Sequence, residues 1–312
     1  MKTLVLGKTL VDVIVNVDTL PKTGDDLVCN KHVISMGGCA YNVATILKYF
    51  GIEHDLVSPV GKGIYASIIK EELVKNGYKI YIEDKSADNG YCLCLVEKDG
   101  ERSFITIPGI DTTYKSEWLE KIDSSSYDNI YISGYEMEDE SGVVILNWLI
   151  KQKDKKIFFG PGPRLNFIDK EIMDRMLKLH PILHLNDDEA LRYTNETDVI
   201  SAAKELYRIT SNAVFVTLGK DGVLYFEGDK YKFIDGIETI VENTVGAGDS
   251  HIGAILAGIS MGYDYEYSCH IANRVAAKVV SSEGSRLEDD LFNIDDYVSL
   301  GRYQVLSKAL SV

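Results

Sequence analysis

Short apolar runs of strand length alternate with runs of helical period along most of this chain. The apolar run at residues 3–7 comes first, and a helical pattern then begins after Gly38 and ends at Gly51. Further pairs of a strand pattern and a helix pattern follow through residue 217. Because a strand that returns to its sheet through a helix runs parallel to the strand before it, this order predicts a doubly wound, mostly parallel α/β sheet with helices on both faces.

Other segments alternate apolar and polar residues and do not fit such a buried core; they are residues 11–18, 27–35 and 91–107. Alternation is typical of strands with one wet face, and Asp99-Gly100 is a hairpin turn signal. We therefore expect two insertions, at about 11–36 and 90–108, to form a small antiparallel β lid. No linker or repeat indicates a second domain, so residues 1–312 are predicted to form one domain.

The charge balance is strongly acidic, with 33 Lys and Arg residues against 48 Asp and Glu residues and a net charge of -15. Such a surface repels phosphate backbones, so we expect no nucleic-acid partner, although backbone amides can still hold the phosphates of a nucleotide. The apolar opening is interrupted at Lys8 and Asp12, and no run reaches the roughly 18 apolar residues of a membrane span. The five cysteines lack the spacing of a zinc site. We expect a cytoplasmic protein with reduced thiols and no membrane partner.

The segment Asn243–Asp249, with the sequence NTVGAGD, opens a helix pattern that is apolar nearly all round. A buried helix presents the free N–H groups of its first turn, and glycines allow an anion to approach those amides closely. Asp249 lies in that turn and has the chemistry of a general base that accepts the proton of an attacking hydroxyl. A glycine-rich turn capped by an aspartate would explain the same residues without any ligand.

Two further motifs place small or polar residues next to predicted helices. Gly37 and Gly38 precede a helix that carries Asn42, and NDDE at 186–189 follows a predicted strand. Open parallel sheets bind ligands at the carboxyl ends of their strands, which favours a binding role for the second motif. A plain turn for the first motif and helix capping by Asn186 for the second remain open at this point.

Taken in order, these motifs resemble those of the ribokinase/PfkB carbohydrate kinase family over nearly the whole chain. GGCAYN at 37–42 and NTVGAGD at 243–249 are similar to the two family signatures, and NDDE at 186–189 is similar to its N-x-x-E element. TLGKDG at 217–222 resembles the nucleotide loop of the family, and Asn273 resembles its adenine-side asparagine. The resemblance implies a ribokinase-like fold and a kinase that uses ATP and Mg²⁺ to phosphorylate a hydroxyl of a sugar.

The resemblance also implies a role for each matched residue. Asp249 would be the catalytic base, beside an anion hole formed by the amides of Gly246, Ala247 and Gly248. Residues around the early motif would bind the substrate, and these are Asp12, Gly37, Gly38 and Asn42, with Glu136 and Arg164 as further substrate-side residues. Glu189 and Asn186 would position Mg²⁺, through water, and the ATP phosphates. The rest of the nucleotide would lie against Thr217, Gly219, Gly222 and Asn273.

Some positions depart from the family pattern. Asn243 stands where the family has an aspartate linked to a monovalent-cation site, so we expect weak potassium dependence. Gly63 replaces a common aspartate, and His251 replaces an aromatic residue and is expected to be a packed core residue. Cys39 follows the glycine pair where kinases of phosphosugars place a basic residue, and Arg102 in the lid is expected to be solvated. We therefore expect a free sugar as substrate, namely a ketohexose, pentose or sugar acid.

Other functions compete with this interpretation. A nucleoside kinase of the same family, for pseudouridine or a purine nucleoside, is the nearest alternative. A non-catalytic sugar-sensing relative would not need Asp249 and the glycines around it. An NAD-dependent oxidoreductase would need G-x-G-x-x-G after the first strand, where this chain has GKTLVD. Because an exposed sheet edge invites pairing with a second copy, we also expect a homodimer formed through the lid.

Overall fold

In the computed structural model, which describes residues 1–29, 31–98, 101–282 and 292–298, an eight-stranded sheet is covered by helices on both faces. The strands are β1 (Thr3–Leu6), β2 (Leu10–Asn16), β3 (Lys31–Gly37), β4 (His54–Val57), β5 (Pro59–Val60), β6 (Ile82–Glu83), β7 (Tyr91–Val96), β8 (Arg102–Ile107), β9 (Asn129–Ser133), β10 (Lys156–Gly160), β11 (Ile182–Asn186), β12 (Val214–Thr217), β13 (Val223–Glu227) and β14 (Lys230–Ile234). The helices are α1 (Cys39–Tyr49), α2 (Ile64–Lys75), α3 (Ser116–Leu119), α4 (Asp139–Leu149), α5 (Lys170–Leu177), α6 (Asp187–Thr194), α7 (Val199–Thr210), α8 (Ala247–Ser260) and α9 (Tyr265–Val280). None of the helices in the described ranges has the length and apolar character that a membrane crossing requires.

The large sheet has the strand order β14-β13-β12-β11-β10-β9-β1-β4. Neighbouring strands from β4 to β12 run parallel, and β12, β13 and β14 form an antiparallel edge. Strand β1 is buried throughout because helices cover both of its faces. Val5 packs in a core with α1, α8 and α9, whereas Leu4 and Leu6 pack in a second core with α4, α5 and α7. The doubly wound, mostly parallel fold expected from the sequence is confirmed.

The alternating segments form a second sheet with the order β3-β2-β7-β8. Its outer pairs are antiparallel, and its central pair, β2 with β7, is parallel. The expected small sheet is therefore confirmed, with one parallel pairing that alternation alone does not predict. The predicted strand 27–35 begins only at Lys31, since Leu27 and Val28 stay exposed instead of joining the sheet. The turn at Asp99-Gly100 lies outside the described residues.

The apolar run 55–60, which its pattern predicts as one strand, is divided at Ser58. The part before Ser58 belongs to β4 in the large sheet, whereas Pro59 and Val60 form β5 and pair with β6. Proline has no N–H to donate to a ladder, which is why it rarely continues a central strand. The hydroxyl of Ser58 instead accepts the backbone N–H of Thr9 at 2.9 Å. This contact fixes the segment that follows β1.

Helix α8 packs against α1 and α9 at two glycines. A Cβ at Gly253 would lie 3.1 Å from the Cβ of Ile46 in α1. A Cβ at Gly258 would lie 2.5 Å from the Oγ of Ser268 in α9 and 3.1 Å from its Cα. The glycines thus allow three helix backbones to approach closely, and this packing fixes where α8 begins.

We expect Gly258→Val to lower the free energy of unfolding by about 1–3 kcal/mol, because the added side chain overlaps Ser268. Urea denaturation of both proteins measures the difference. Lys204→Val is the control, since it places the same side chain at an exposed helix position, where lower helix propensity costs at most about 0.7 kcal/mol. Equal losses from the two substitutions would contradict the close packing of α8 on α9.

Candidate active site

The turn before α8 presents backbone amides at the start of a buried helix. Gly246 adopts a left-handed conformation with φ of 78°, and its carbonyl accepts the N–H of Ser250, which begins the helix. The first-turn amides of Gly248 and Asp249 have no partner within the helix, and the helix dipole adds a positive potential there. The space where a Cβ of Gly248 would lie is open. The predicted anion hole of Gly246, Ala247 and Gly248 therefore lies at an accessible helix N-terminus.

Asp249 is held by a residue from the distant early motif. Its carboxylate Oδ2 accepts a hydrogen bond of 2.9 Å from Nδ2 of Asn42, in the first turn of α1. Burial raises the pKa of Asp249, while hydrogen bonds from Asn42 and Cys39 oppose that increase. Within the described structure, the buried Oδ1 of Asn42 has no hydrogen-bond partner, so it can accept a ligand hydroxyl. The two motifs thus form one site.

A cavity of about 690 Å³ opens beside Asp249. The predicted residues that line it are Asp12, Gly38, Asn42, Arg164, Asn186, Glu189, Thr217, Gly246, Gly248 and Asp249. Gly37 lies behind this wall, and a Cβ there would be only 1.9 Å from Oδ2 of Asp12. Gly38 has φ of 99°, and a Cβ on it would lie 2.6 Å from the carbonyl oxygen of Lys8. Each glycine is therefore required by a close contact at the cavity wall.

Two substrate-side predictions have different outcomes. Glu136 is buried and does not line the cavity; its carboxylate accepts the backbone N–H of Lys8 at 2.9 Å and the hydroxyl of Ser133 at 2.5 Å. Burial raises the pKa of Glu136, and the Lys8 charge opposes the increase. Arg164 does line the cavity, where two hydrogen bonds of 2.5 and 2.6 Å join its guanidinium to Glu138. Glu136 thus holds the backbone of Lys8 from behind the cavity wall.

A second cavity, of about 440 Å³, contains the remaining predicted nucleotide residues. It is lined by Gly219, Gly222, Ala247 and Asn273, and it shares Thr217, Thr244 and Gly248 with the first cavity. Gly222 has φ of 101°, and a Cβ on it would lie 2.1 Å from the carbonyl oxygen of Ile234. The first turn of α8 therefore lies where the two cavities meet, which suits transfer of a group from one ligand to another.

A buried chain of polar side chains connects the two cavities. Nδ2 of Asn273 donates to the carbonyls of Ile234 and Asp235, so its Oδ1 accepts from Nε2 of His251 at 3.0 Å. Nδ1 of His251 then accepts from Nε2 of His184 at 2.8 Å. Burial lowers the pKa of His251 to about 4 and also lowers that of His184, so both rings are neutral. His251 is a core residue as expected. The side-chain amide of Asn273 donates to backbone carbonyls and accepts from His251.

Glu189 and Asn186 form a capping box at the start of α6. The Asn186 side chain accepts the N–H of Glu189 at 2.7 Å, and the Glu189 carboxylate accepts the N–H of Asn186 at 3.0 Å. Asn186 and Glu189 therefore cap α6 and also line the first cavity. No group of three or more metal-ligating side chains occurs in the described ranges. One carboxylate fits Mg²⁺ that keeps most of its waters and is bound mainly by nucleotide phosphates.

Several cavity residues were not predicted as site residues. Cys92 and Thr106 are neighbours of Asp12 across β2, β7 and β8, so all three point to the same face of the small sheet. The alternating pattern shows which side chains of each strand share a face. It does not show that β2 pairs with β7, and this pairing is what brings Asp12 and Cys92 together. Lys8 and Tyr135 also line the cavity. The sequence signal that could have identified Lys8 is its position as a charged residue within the apolar opening segment.

Arg102 differs from its expected solvated position. Its guanidinium donates a hydrogen bond to Oδ1 of Asn243, and its Nε is buried without a partner in the described structure. The same Asn243 oxygen accepts the N–H of Val245 at 2.8 Å. The small sheet is thus joined to the turn that precedes α8, because Arg102 begins β8 and reaches across to that turn.

Sequence comparison identifies related proteins along nearly the whole chain. Residues 2–290 match the family model described as pfkB family carbohydrate kinase. The chain is 33% identical over 285 residues to the uncharacterized sugar kinase YegV of Escherichia coli (strain K12), covering 90% of this chain and 89% of that protein. It is 28% identical over 287 residues to the ribokinase of Bacillus subtilis (strain 168), covering 90% and 94%.

Solved structures share the fold at lower sequence identity. The ribokinase of Thermotoga maritima has a TM-score of 0.81 at 21% identity, covering 97% of this chain and 99% of that chain. The Arabidopsis thaliana ribokinase complexed with ribose and ATP has a TM-score of 0.77 at 20% identity, covering 92% and 96%. The Burkholderia thailandensis nucleoside kinase in complex with inosine has a TM-score of 0.75 at 18% identity, covering 91% and 93%. These likenesses confirm the ribokinase-like fold.

We expect Asp249→Asn to stabilise the protein at neutral pH. The pKa of Asp249 is raised above its usual 3.8 in the folded protein, so its ionisation costs folding free energy as the pH rises above that value. Asparagine carries no charge and can still accept the hydrogen bond from Asn42. Thermal unfolding at pH 7 and near pH 4 measures the effect, which should be larger at pH 7. A variant that is less stable than the unmodified protein at pH 7 would refute this explanation.

Proposed function

Since this chain belongs to the pfkB family of carbohydrate kinases, we propose that it transfers the γ-phosphate of ATP to a hydroxyl of a free sugar, with Asp249 as the general base. The chain is a phosphotransferase with the ribokinase-like fold. The finer proposal is supported most directly by the position of Asp249, which Asn42 holds beside the junction of the two cavities. A ketohexose, a pentose or a sugar acid is the proposed acceptor.

The proposed reaction begins with a substrate hydroxyl next to Asp249. The carboxylate accepts the hydroxyl proton as the oxygen attacks the γ-phosphorus, and the bond to the β-phosphate oxygen breaks in the same in-line displacement. Burial raises the pKa of Asp249, which makes the carboxylate a better proton acceptor. The amides of Gly246, Ala247 and Gly248 would stabilise the negative charge on the transferred group, once the Ala247 N–H gives up its 3.3 Å hydrogen bond to the Thr244 carbonyl. No covalent enzyme intermediate is required.

The proposed nucleotide position uses both cavities. The nucleoside part of ATP would occupy the second cavity beside Gly219, Gly222 and Asn273, with the phosphates directed past Thr217 towards Gly248. ATP accompanies the ribokinase fold in the Arabidopsis thaliana structure, which supports ATP as the donor. Mg²⁺ bound to the phosphates neutralises their charge, and Glu189 would hold one of its waters.

A substrate without phosphate is supported by the basic residues near the first cavity. Cys39 follows the glycine pair, Arg102 is bound to Asn243, and Arg164 is paired with Glu138. A phosphosugar brings nearly two negative charges, and Lys8 is the one basic side chain without an ion pair among the described residues that line the cavity, so burying the second charge is costly. The Burkholderia thailandensis nucleoside kinase in complex with inosine has this fold. A nucleoside is therefore the alternative acceptor for this chain.

The small sheet is proposed to close over the substrate. Asp12, Cys92, Phe104 and Thr106 bring one of its faces to the first cavity. Exclusion of water by such a closure favours transfer to the sugar over hydrolysis. Exposed apolar side chains on one face of the outer strands, Val33 and Phe104, support pairing with a second copy. A homodimer through the lid and a cytoplasmic location both stay predictions.

We expect Asp249→Asn to lower kcat by a factor of about 10²–10⁴ or more, because the proton acceptor is removed. ATP consumption is first screened over free sugars, sugar acids and nucleosides, and the variant is then assayed on the best acceptor. ATP affinity should be unchanged. Asp174→Asn is the control, since it makes the same change at an exposed position on α5. Near-normal turnover by the Asp249→Asn variant would exclude Asp249 as the general base.

We expect turnover to differ little between potassium and a bulky organic cation. The position at which the family resemblance implies a cation-binding aspartate is Asn243, and the Arg102 guanidinium already supplies a positive charge there. Asn243→Asp alone should gain little dependence because its carboxylate would pair with Arg102. The double variant Arg102→Gln with Asn243→Asp should gain a marked potassium dependence. Strong potassium activation of the unmodified protein would contradict this prediction.

A further inference from the structure

Lys8 places an ammonium group at the wall of the first cavity. The residue follows β1 and is only 6% exposed. Its backbone N–H is held by Glu136, and the next residue, Thr9, is held by Ser58 through its backbone N–H and its hydroxyl. The backbone around Lys8 is thus fixed at two successive residues, and its Nζ lies 4.1 Å from the ring centroid of Tyr135.

This ammonium has no ion-pair partner. In the part of the chain that the structure describes, no carboxylate oxygen lies within 4.0 Å of Nζ. Glu136 is a nearby acid, but its two oxygens are engaged by the Lys8 backbone N–H and by the Ser133 hydroxyl. The Tyr135 ring offers the ammonium a cation–π contact but no oxygen ligand. Because Lys8 lines the cavity, its ammonium is available to oxygen ligands of a bound substrate.

The neighbouring cation differs in this respect. The Arg164 guanidinium lies 5.6 Å from the same Tyr135 ring and 4.1 Å from the ring of Phe167. Its charge is balanced by two hydrogen bonds to Glu138. Lys8 and Arg164 thus give one wall of the cavity a positive character, and of these two cations only Arg164 has a direct ion pair among the described residues. A monoanion matches the charge of Lys8, whereas a phosphate monoester would bring nearly two.

We infer that Lys8 binds a carboxylate of the acceptor, which makes this protein a kinase of sugar acids. This inference rests on the proposed function and selects one of its three acceptor classes. The other carboxylates of the cavity, Asp12, Glu189 and Asp249, repel an anion, so the wall formed by Lys8, Tyr135 and Arg164 is where the substrate carboxylate lies. The hydroxyls of the same molecule then face Asn42 and Asp249. Neutral sugars and nucleosides offer the ammonium no carboxylate for a direct ion pair.

The test compares acceptors that differ only at C1, where one has a hydroxymethyl group and the other a carboxylate. The pairs are fructose with 2-ketogluconate, sorbitol with gluconate, and ribitol with ribonate; fructose 6-phosphate tests a phosphate in place of the carboxylate. We expect kcat/KM to favour the acid by about tenfold or more in at least one pair, since a hydrogen bond to a charged group contributes about 1.5–3 kcal/mol. Preference for the neutral member in every pair, or for fructose 6-phosphate, would overturn the inference.

Two variants separate the Lys8 charge from its volume. Lys8→Met keeps the length of the side chain and should lower kcat/KM for the preferred acid by about 10- to 100-fold, mainly through KM, with less than about threefold change for its neutral partner. Lys8→Arg should retain the preference for the acid. Lys204→Met is the control at an exposed position. Melting temperatures of all variants show whether each folds.

The outcomes also separate this inference from the proposed function. If neutral sugars are phosphorylated and Lys8→Met changes acid and neutral acceptors equally, the protein is a sugar kinase and the carboxylate site is wrong. If neither acids nor neutral sugars stimulate ATP consumption, the proposed function fails and the inference fails with it. Calorimetric binding of the preferred acid to the unmodified protein and to Lys8→Met gives an independent readout. A similar Kd for both proteins would overturn the inference.

Discussion

The hydrogen bond between Asn42 and Asp249 joins the starts of two helices that lie 207 residues apart in the chain. It forms because α1 and α8 pack along each other, with Gly253 of α8 against Ile46 of α1. That close approach places both helix starts at the carboxyl end of the parallel strands, where the loops of the large sheet leave a cavity. The proposed base, the amide of Asn42 that holds it and the proposed anion-binding turn therefore depend on one helix–helix contact.

The site gathers charged groups that the fold would be more stable without. Burial raises the pKa of Asp249, of Glu136 and of Glu189, which shows that each carboxylate is held where ionisation is unfavourable. Lys8 adds a buried ammonium without an ion-pair partner among the described residues. A free energy cost of this kind is common where binding or catalysis requires a charge in a dry place. The two continuous apolar cores on either side of the sheet offset it.

Much of the fold could be predicted from local patterns, and so could the center of the site. The βα alternation fixes a parallel sheet, and glycines next to a helix start identify Gly38 and Gly246, whose positive φ few other residues adopt. Contacts between distant segments could not be predicted in this way. The reach of Arg102 to Asn243 depends on the pairing of β2 with β7, which no local pattern specifies. Glu136 shows the same limit, since its side chain turns behind the wall instead of into the cavity.

The histidine chain bears on how the site responds to pH. His184 and His251 lie between the two cavities and are fixed in one hydrogen-bonding direction by Asn273, whose amide is held by the carbonyls at 234 and 235. Because burial lowers the pKa of both rings, they stay neutral through the range in which histidines usually titrate. Their hydrogen bonds therefore connect β11, which carries His184, to α8 and α9, which carry His251 and Asn273. Burial raises the pKa of Asp249 and of Glu189, so both titrate closer to neutral pH, and the acid limb of activity should follow Asp249, the proposed base, together with Glu189.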